Sequence, residues 1–242
     1  MGKWFNLDSP FVQFMNKVAD LMWLNILFVL CCIPLITIGN SITSMYYVTL
    51  KMVKNEESYI TKSFFKSFKQ NFVQAVIIWL IFIIAGGVIF VDYRIISGQM
   101  GINLVSGTLK SVMQVLFIAL FIFYVFTFTF VFPLLSKFDN TIKNTIKNAL
   151  YMSIRHFPVT LACIALFIIM LLLLYYIPVM SVLSLLLLFS LFAYISSLMF
   201  VRVFEIYIPK DSSEDTQAEE ISGKDIEESD YKESISKAAN DQ

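Results

Sequence analysis

The stretch LMWLNILFVLCCIPLITIG, residues 21–39, contains no charged side chain. A helix of about 20 apolar residues is long enough to cross the roughly 30 Å hydrocarbon core of a bilayer. A polar segment, Asn40 to Lys54, follows at once, and we interpret it as a basic surface helix. The chain therefore joins a membrane span directly to a lysine-bearing connector, and it repeats this arrangement further on.

The composition of the whole chain agrees with a membrane protein. Of its 242 residues, 58% are apolar and 15% are charged, whereas about 25% are charged in an average soluble domain. Hydropathy predicts five spans, at residues 21–38, 72–91, 112–135, 158–177 and 179–201, with a tight turn at Pro178 between the last two. The predicted fold class is an all-α membrane protein with five transmembrane helices.

The formal charge of zero conceals a strong asymmetry along the chain. Residues 1–209 carry fourteen Lys and Arg against seven Asp and Glu, whereas residues 210–242 carry four Lys against eleven acidic residues. We interpret residues 1–209 as the transmembrane helical domain. Residues 210–242 are polar, acidic and nearly free of aromatic side chains, which predicts a disordered tail.

Two connecting segments have the pattern of amphipathic helices. Tyr59 to Phe72 places phenylalanines along one edge and Lys62, Lys66 and Lys69 beside it. Ser136 to Phe157 is similar in kind, with four cations: Lys137, Lys143, Lys147 and Arg155. Such helices lie at the surface of an anionic leaflet. The first predicted partner is therefore the lipid bilayer, through its anionic inner leaflet.

The loop charges predict an orientation in the membrane. The connectors after the first and third spans carry five and four Lys or Arg, the loop after the second span carries two, and the turn after the fourth carries none. Positively charged loops remain in the cytoplasm. We therefore expect a multi-pass protein of the bacterial cell membrane with its N-terminus outside and its acidic tail in the cytoplasm.

A weak internal similarity accompanies the two connectors. The motif Ile33-Pro34-Leu35-Ile36-Thr37 ends the first predicted span, and residues 132–136, FPLLS, end the third. Each is followed by an amphipathic segment and then by a polar-Phe step into the next span. This pattern indicates a parallel two-fold repeat, with chance similarity as the alternative.

Two groups of residues are candidates for a functional role. Asn25 is the amide that lies deepest in a predicted span, and a bond to a neighbouring helix explains it more simply than a substrate contact. The second group is a docking candidate on the first connector: Tyr46, Tyr47, Lys51, Glu56 and Glu57. These five residues either anchor the interface through aromatic contacts and salt pairs, or form a cytoplasmic docking surface for a transporter subunit.

Known catalytic and metal-binding patterns are missing from the sequence. HExxH, GxSxG, GxxxxGK[ST] and CxxC do not occur, and His156 is the only histidine. The basic loops need no nucleic acid to explain them, because topology and anionic lipid account for lysines next to spans. We expect a protein that is not an enzyme, carries no cofactor or metal, and does not bind nucleic acid.

Several blocks of the sequence resemble one family. They are NKVAD (16–20), LCCIPLITIGNSITSMYYVTLKMVKNEESYI (30–60), FFKSFKQNFVQA (64–75), KNAL (147–150) and RHFP (155–158). In these blocks the chain is similar to the YesL family of bacterial integral membrane proteins, over about residues 4–205. The resemblance implies a small multi-span protein, often encoded near carbohydrate ABC transporters and polysaccharide-degrading enzymes. It implies an accessory role in sugar uptake, and it brings no catalytic residues.

Two functions from different classes follow. The first is a non-enzymatic accessory or regulator of carbohydrate (oligosaccharide) uptake by an ABC-type transporter, with the permease subunits as partners. The alternative is a small transporter or channel acting on its own. No predicted span carries a deeply placed ionisable residue, which disfavours the alternative, because coupling and ion selectivity usually require one.

Overall fold

The computed structural model describes residues 10–56, 59–96, 108–177, 179 and 183–207. Within these ranges the regular structure is helical, without strands. The α-helices are α1 (Pro10–Cys31), α2 (Ile38–Val53), α3 (Ile60–Gln70), α4 (Phe72–Ile96), α5 (Thr108–Lys137), α6 (Ile142–Arg155), α7 (Phe157–Tyr176) and α8 (Phe189–Phe204). A short 3-10 helix, Leu35–Thr37, precedes α2, and a π-helical turn, Ser184–Leu188, precedes α8.

Five helices in the described part of the chain are long and apolar enough to cross a membrane. They are Phe11–Cys31, Phe72–Ile96, Lys110–Lys137, Phe157–Tyr176 and Leu186–Phe204. The predicted fold class is confirmed: the protein is an all-α membrane protein with five transmembrane helices and amphipathic connecting helices. The predicted turn at Pro178, the side chain of Glu57 and the acidic tail at residues 210–242 lie outside the described residues.

The first span differs from its predicted range of 21–38. α1 begins at Pro10 and ends at Cys31, so the helix starts eleven residues before the predicted range and ends seven residues before its end. A proline disfavours helical geometry in the residue before it and lacks a backbone donor, and α1 ends three residues before Pro34. The Thr37 hydroxyl then donates to the Cys31 carbonyl oxygen at 2.7 Å and closes the turn.

Helix α2 lies in the core, although its sequence predicted a basic surface helix. Ten of its sixteen residues are buried, and it packs against α1, α3, α4 and α5. Three of its buried hydroxyl side chains bond to the backbone of the preceding turn. The hydroxyls of Ser41, Thr43 and Ser44 each donate to the carbonyl oxygen four residues earlier, at 2.9–3.0 Å. A helix of this kind needs no water on its polar positions.

Helices α1 and α2 run antiparallel. The six-residue connection joins them at one end, and at the other the Lys17 ammonium donates to the Asn55 side-chain oxygen at 3.1 Å. Asn55, two residues after the end of α2, has a positive φ of 54°, the left-handed conformation that asparagine tolerates better than most residues. Helix α3 then returns along α2, since the Asn40 amide donates to the Phe68 carbonyl oxygen at 2.9 Å.

The start of α2 meets α4 and α5 at close range. The Trp79 indole donates to the Leu35 carbonyl oxygen at 2.9 Å. A Cβ atom placed on Gly39 would lie 2.6 Å from the Trp79 Cβ and 3.0 Å from both the Ala75 carbonyl oxygen and a Phe132 ring carbon. Glycine is therefore required here for the close approach of three helices. Further along, α4 and α5 pack through aromatic rings.

The two amphipathic connectors join their spans in the same way. A single residue, Asn71, separates α3 from α4, and a single residue, His156, separates α6 from α7. The prolines of the predicted repeat differ, because Pro34 lies after the end of α1 whereas Pro133 lies inside α5. The one-residue joint between a connector helix and the next span is thus common to both units of the predicted repeat. The position of the proline relative to the preceding helix is not.

The chain divides into two compact units, Met1–Val201 and Arg202–Gln242. The contacts and the cavity described below belong to the first unit. In the second unit, the structure describes the last turn of α8 and a following turn, in which the Tyr207 amide donates to the Phe204 carbonyl oxygen at 2.9 Å.

Candidate functional site

Three of the docking candidates form a surface cluster at the carboxyl end of α2. The Lys51 ammonium lies 3.8 Å from a Glu56 carboxylate oxygen and 5.4 Å from the centre of the Tyr47 ring. Both charged side chains are partly exposed, so the pair contributes at most about 1 kcal/mol to stability. We call Tyr47, Lys51 and Glu56 the α2-end cluster. It presents an aromatic ring and two opposite charges on a helix whose other turns are buried.

Tyr46 is not part of this surface. It is 7% exposed, and its ring packs edge-on against Phe200 at a centroid distance of 5.9 Å. Neighbouring positions on a helix point about 100° apart, so only one of two adjacent tyrosines can face the same surface. The expectation that both tyrosines serve as interface anchors is therefore wrong for Tyr46. Glu57 lies outside the described residues.

Asn25 is completely buried in the middle of α1. Its side-chain oxygen accepts a hydrogen bond from the backbone amide of Ser190 at 2.9 Å, and the Ser190 hydroxyl donates to the Leu21 carbonyl oxygen at 2.7 Å. Ser190 is the second residue after the π-helical turn, in which the regular pattern of backbone bonds is interrupted. Asn25 thus joins α1 to the beginning of α8.

The amphipathic connectors expose their cations. On α3, Ser63, Phe64 and Ser67 face the core, while Lys62, Lys66 and Lys69 are exposed. The Trp23 indole of α1 donates to the Thr61 hydroxyl at 2.8 Å and holds the beginning of α3 against α1. On α6, Thr145, Ala149, Met152 and Ser153 are buried, while Lys143 and Lys147 are exposed. Both helices have the one-sided burial that the sequence predicted.

His156 lies at the joint between α6 and α7, where a histidine could serve in acid–base chemistry. Partial burial and the neighbouring Arg155 guanidinium lower the pKa of His156 below its ordinary value. The side chain is therefore mainly neutral at pH 7. In the described residues, no group of three or more His, Cys, Asp and Glu side chains is placed to hold a metal ion.

A cavity of about 490 Å³ lies between α1, α2, α5, α7 and the beginning of α8. Its walls are predominantly hydrocarbon and aromatic: Phe28, Ile38, Ile42, Met45, Tyr46, Phe121, Tyr124, Val125, Phe128, Thr129, Phe132, Pro133, Cys163, Ile164, Phe167, Met170, Phe189 and Phe192. Two of its polar groups already have partners, because the Tyr124 hydroxyl donates to the Phe82 carbonyl oxygen and the Thr129 hydroxyl to the Val125 carbonyl oxygen. No pattern in the sequence indicates this cavity.

The comparisons with known proteins cover part of the chain. A family model described as "Protein of unknown function, DUF624" matches residues 21–93, which run from the second half of α1 into the last turns of α4. No curated protein and no solved structure matches the chain. The match is compatible with the resemblance to the YesL family, which it does not name. In residues 21–93 the chain is similar to a family of unknown function, and this segment includes Gly39, Asn25 and the α2-end cluster.

Proposed function

We propose that the protein is a non-enzymatic membrane component that assists or regulates carbohydrate uptake by an ABC-type transporter. The observation that supports this proposal best is the α2-end cluster. It is a small amphipathic surface at the end of a helix that packs against four other helices. A permease subunit bound there would act directly on the core of the membrane domain. The link to carbohydrate comes from the resemblance to the YesL family.

Charge reversal in the α2-end cluster tests the docking surface. We expect Lys51→Glu or Glu56→Lys to reduce co-purification of the permease subunit at least tenfold, because each places a repulsive charge against the partner. The double variant K51E/E56K restores an internal ion pair with the opposite polarity. It should remain unable to bind, since the partner meets the wrong sign at both positions. The measurement is quantitative crosslinking of the tagged protein in cells, followed by mild detergent extraction.

The control for this experiment is Lys143→Glu, which reverses an exposed charge on α6. It should leave the permease bound. Full binding by the K51E/E56K variant would contradict docking through individual charges, and retention of the permease by all of these variants would contradict the docking surface itself. Growth of a deletion strain on different oligosaccharides would identify the sugar.

The alternative is a transporter or channel that acts on its own. A sugar pathway needs many hydrogen-bonding groups, and the walls of the cavity are mostly apolar, so the geometry does not favour sugar passage. Transport of an oligosaccharide by the purified protein in liposomes, without any partner, would support the alternative and overturn the accessory role.

We further propose that α3 and α6 lie on the cytoplasmic side, because the positively charged connectors of membrane proteins stay there. The loop charges also placed the N-terminus outside. The contact between Lys17 and Asn55 argues against this part of the topology, since it brings the amino-terminal half of α1 to the end of α2 that leads into α3. We therefore assign Lys17 to the same side as α3 and keep the tail in the cytoplasm. This placement requires α2 to return the chain to the side on which α1 begins, so that α1 and α2 together make no net crossing.

Cysteine labelling measures this orientation. In a background with Cys31, Cys32 and Cys163 replaced by serine, single cysteines at Lys17, Lys62 and Lys143 should all react only after the cells are permeabilised. A membrane-impermeant maleimide is the reagent. Labelling of the Lys17 position in intact cells, with the other two positions protected, would restore the external N-terminus that the loop charges predict.

A further inference from the structure

An open groove runs between α1 and α3, and we call it the α1–α3 groove. Its volume is about 730 Å³. Trp23 of α1 forms one wall, and α3 with Tyr59 before it forms the other. The Trp23 indole donates to the Thr61 hydroxyl at 2.8 Å, so a hydrogen bond between side chains fixes the two walls against each other. The groove is therefore held open by contacts within the fold.

All three basic side chains of α3 border this groove. Lys62, Lys66 and Lys69 contribute to its lining, and among the described residues that line it none is acidic. Their spacing of four and three positions places them on one face of the helix, and all three residues are exposed. Ammonium groups form strong charge-assisted hydrogen bonds with phosphate. The charge of the groove therefore favours an anionic occupant that carries a phosphate group.

The rest of the lining is mainly aromatic, and it restricts the anion further. Trp23, Tyr59 and Phe65 border the groove and are 50%, 83% and 39% exposed. Trp23 belongs to a helix that is long and apolar enough to cross a membrane, and Trp and Tyr are typical of the level of the lipid head groups. A small soluble anion would leave these rings in water, whereas the acyl chain of a lipid would cover them. The groove thus fits an amphiphile.

We propose that the α1–α3 groove binds one anionic phospholipid, with its phosphate at Lys66 and Lys69 and an acyl chain against Trp23 and Phe65. This site differs from the general attraction of basic helices to an anionic leaflet, because it requires one defined groove and holds one lipid. It is independent of the proposed role in carbohydrate uptake, since no transporter subunit takes part. The bound lipid contacts both α1 and α3.

The first test measures lipid binding to the full-length protein purified in an uncharged detergent. The probe is dioleoylphosphatidylglycerol. Dioleoylphosphatidylcholine has the same chains without net charge, and glycerol 3-phosphate has the charged group without chains. We expect native mass spectrometry to show one retained phosphatidylglycerol and at least tenfold less of either comparison. The unfolding temperature should rise with the phosphatidylglycerol concentration until it saturates.

Two outcomes of this test would overturn the proposal. Equal retention of phosphatidylcholine would show that the lysines do not select the head group. Binding of glycerol 3-phosphate as tight as that of phosphatidylglycerol would show a site for a soluble phosphate, in which the aromatic wall has no part.

The second test locates the bound lipid with variants of exposed lysines, which should all keep the elution volume of the wild-type protein. The double variant K66Q/K69Q should weaken phosphatidylglycerol about 25-fold, because one basic residue at an anionic surface contributes about fivefold. K66R/K69R keeps both charges and should keep the lipid. The matched control K143Q/K147Q removes two exposed lysines of α6, outside the groove, and should also keep it.

The same variants can contradict the site. An equal loss of phosphatidylglycerol in K66Q/K69Q and K143Q/K147Q would show a general attraction to surface charge. Unchanged binding by K66Q/K69Q would place the lipid elsewhere on the protein. Either result would overturn the α1–α3 groove as a lipid site.

Discussion

Replacement of Gly39 by alanine is expected to destabilise the protein by about 1–3 kcal/mol, and Gly39→Leu to prevent folding. The reason is the contact of α2 with α4 and α5, where a Cβ atom would lie 2.6 Å from the Trp79 Cβ. Two of the three neighbours, the Trp79 Cβ and the Ala75 carbonyl oxygen, belong to or adjoin a backbone that cannot move alone. The measurement is the unfolding temperature in detergent, together with the yield of monodisperse protein.

Gly87→Ala is the matched control for this prediction. Gly87 is also a helical glycine, on α4, but a Cβ atom there would meet nothing within 4 Å. We expect no loss of stability, and a gain of up to about 1 kcal/mol from the higher helix propensity of alanine. Equal destabilisation by both variants would show that the glycines act through the flexibility of their helices, and the requirement for close approach at Gly39 would be wrong.

Replacement of Asn25 by leucine is expected to cost about 1–3 kcal/mol, because the Ser190 amide would be left buried without a partner. Leucine has the same number and branching of side-chain heavy atoms as asparagine, with bulkier methyl groups, and it makes good contacts in an apolar span. The expected result is a lower unfolding temperature with the same elution volume. The change should also expose the joint after the π-helical turn to faster amide hydrogen exchange at Ser190.

Ser190→Ala separates the two hydrogen bonds at this joint. It removes the hydroxyl that donates to the Leu21 and Leu187 carbonyl oxygens, and it keeps the amide bonded to Asn25. Both carbonyls can still accept within their own helices, so we expect the cost to stay near the average of about 0.6 kcal/mol for such bonds in membrane proteins. A loss from Ser190→Ala as large as that from Asn25→Leu would contradict the importance of the backbone donor.

The spans and the two amphipathic connectors could be predicted from the sequence because each is defined by its own composition. Apolar runs of about 20 residues mark spans, and the spacing of Lys62, Lys66 and Lys69 marks the exposed side of α3. These signals are local. The partner of Asn25 could not be predicted, because Ser190 is 165 residues away and nothing in either segment identifies the other. The cavity depends in the same way on five elements that are distant along the chain.

The burial of α2 could not be predicted, for a different reason. Its serines and threonines predicted a surface, since polar side chains usually need water or a partner. In the structure their hydroxyls bond to carbonyl oxygens of the same helix, and the segment becomes suitable for a core. The sequence places Tyr47 and Lys51 four positions apart, on one face of a helix. It does not determine which of the two adjacent tyrosines faces outward. That choice is made by Phe200, which packs on Tyr46.

The one-residue joints at Asn71 and His156 make each connector helix and the span after it one rigid unit. Backbone bonds pass through both joints: the Asn71 amide donates to the Ser67 carbonyl oxygen, and the Ala75 amide donates to that of Asn71. At the second joint, the His156 amide donates to the Met152 carbonyl oxygen, and the Thr160 amide donates to that of His156. Because each joint is continuous in its backbone bonding, the depth of the span is fixed by the position of the connector helix before it. Wherever α3 and α6 rest on the leaflet, α4 and α7 are held at a fixed depth below them.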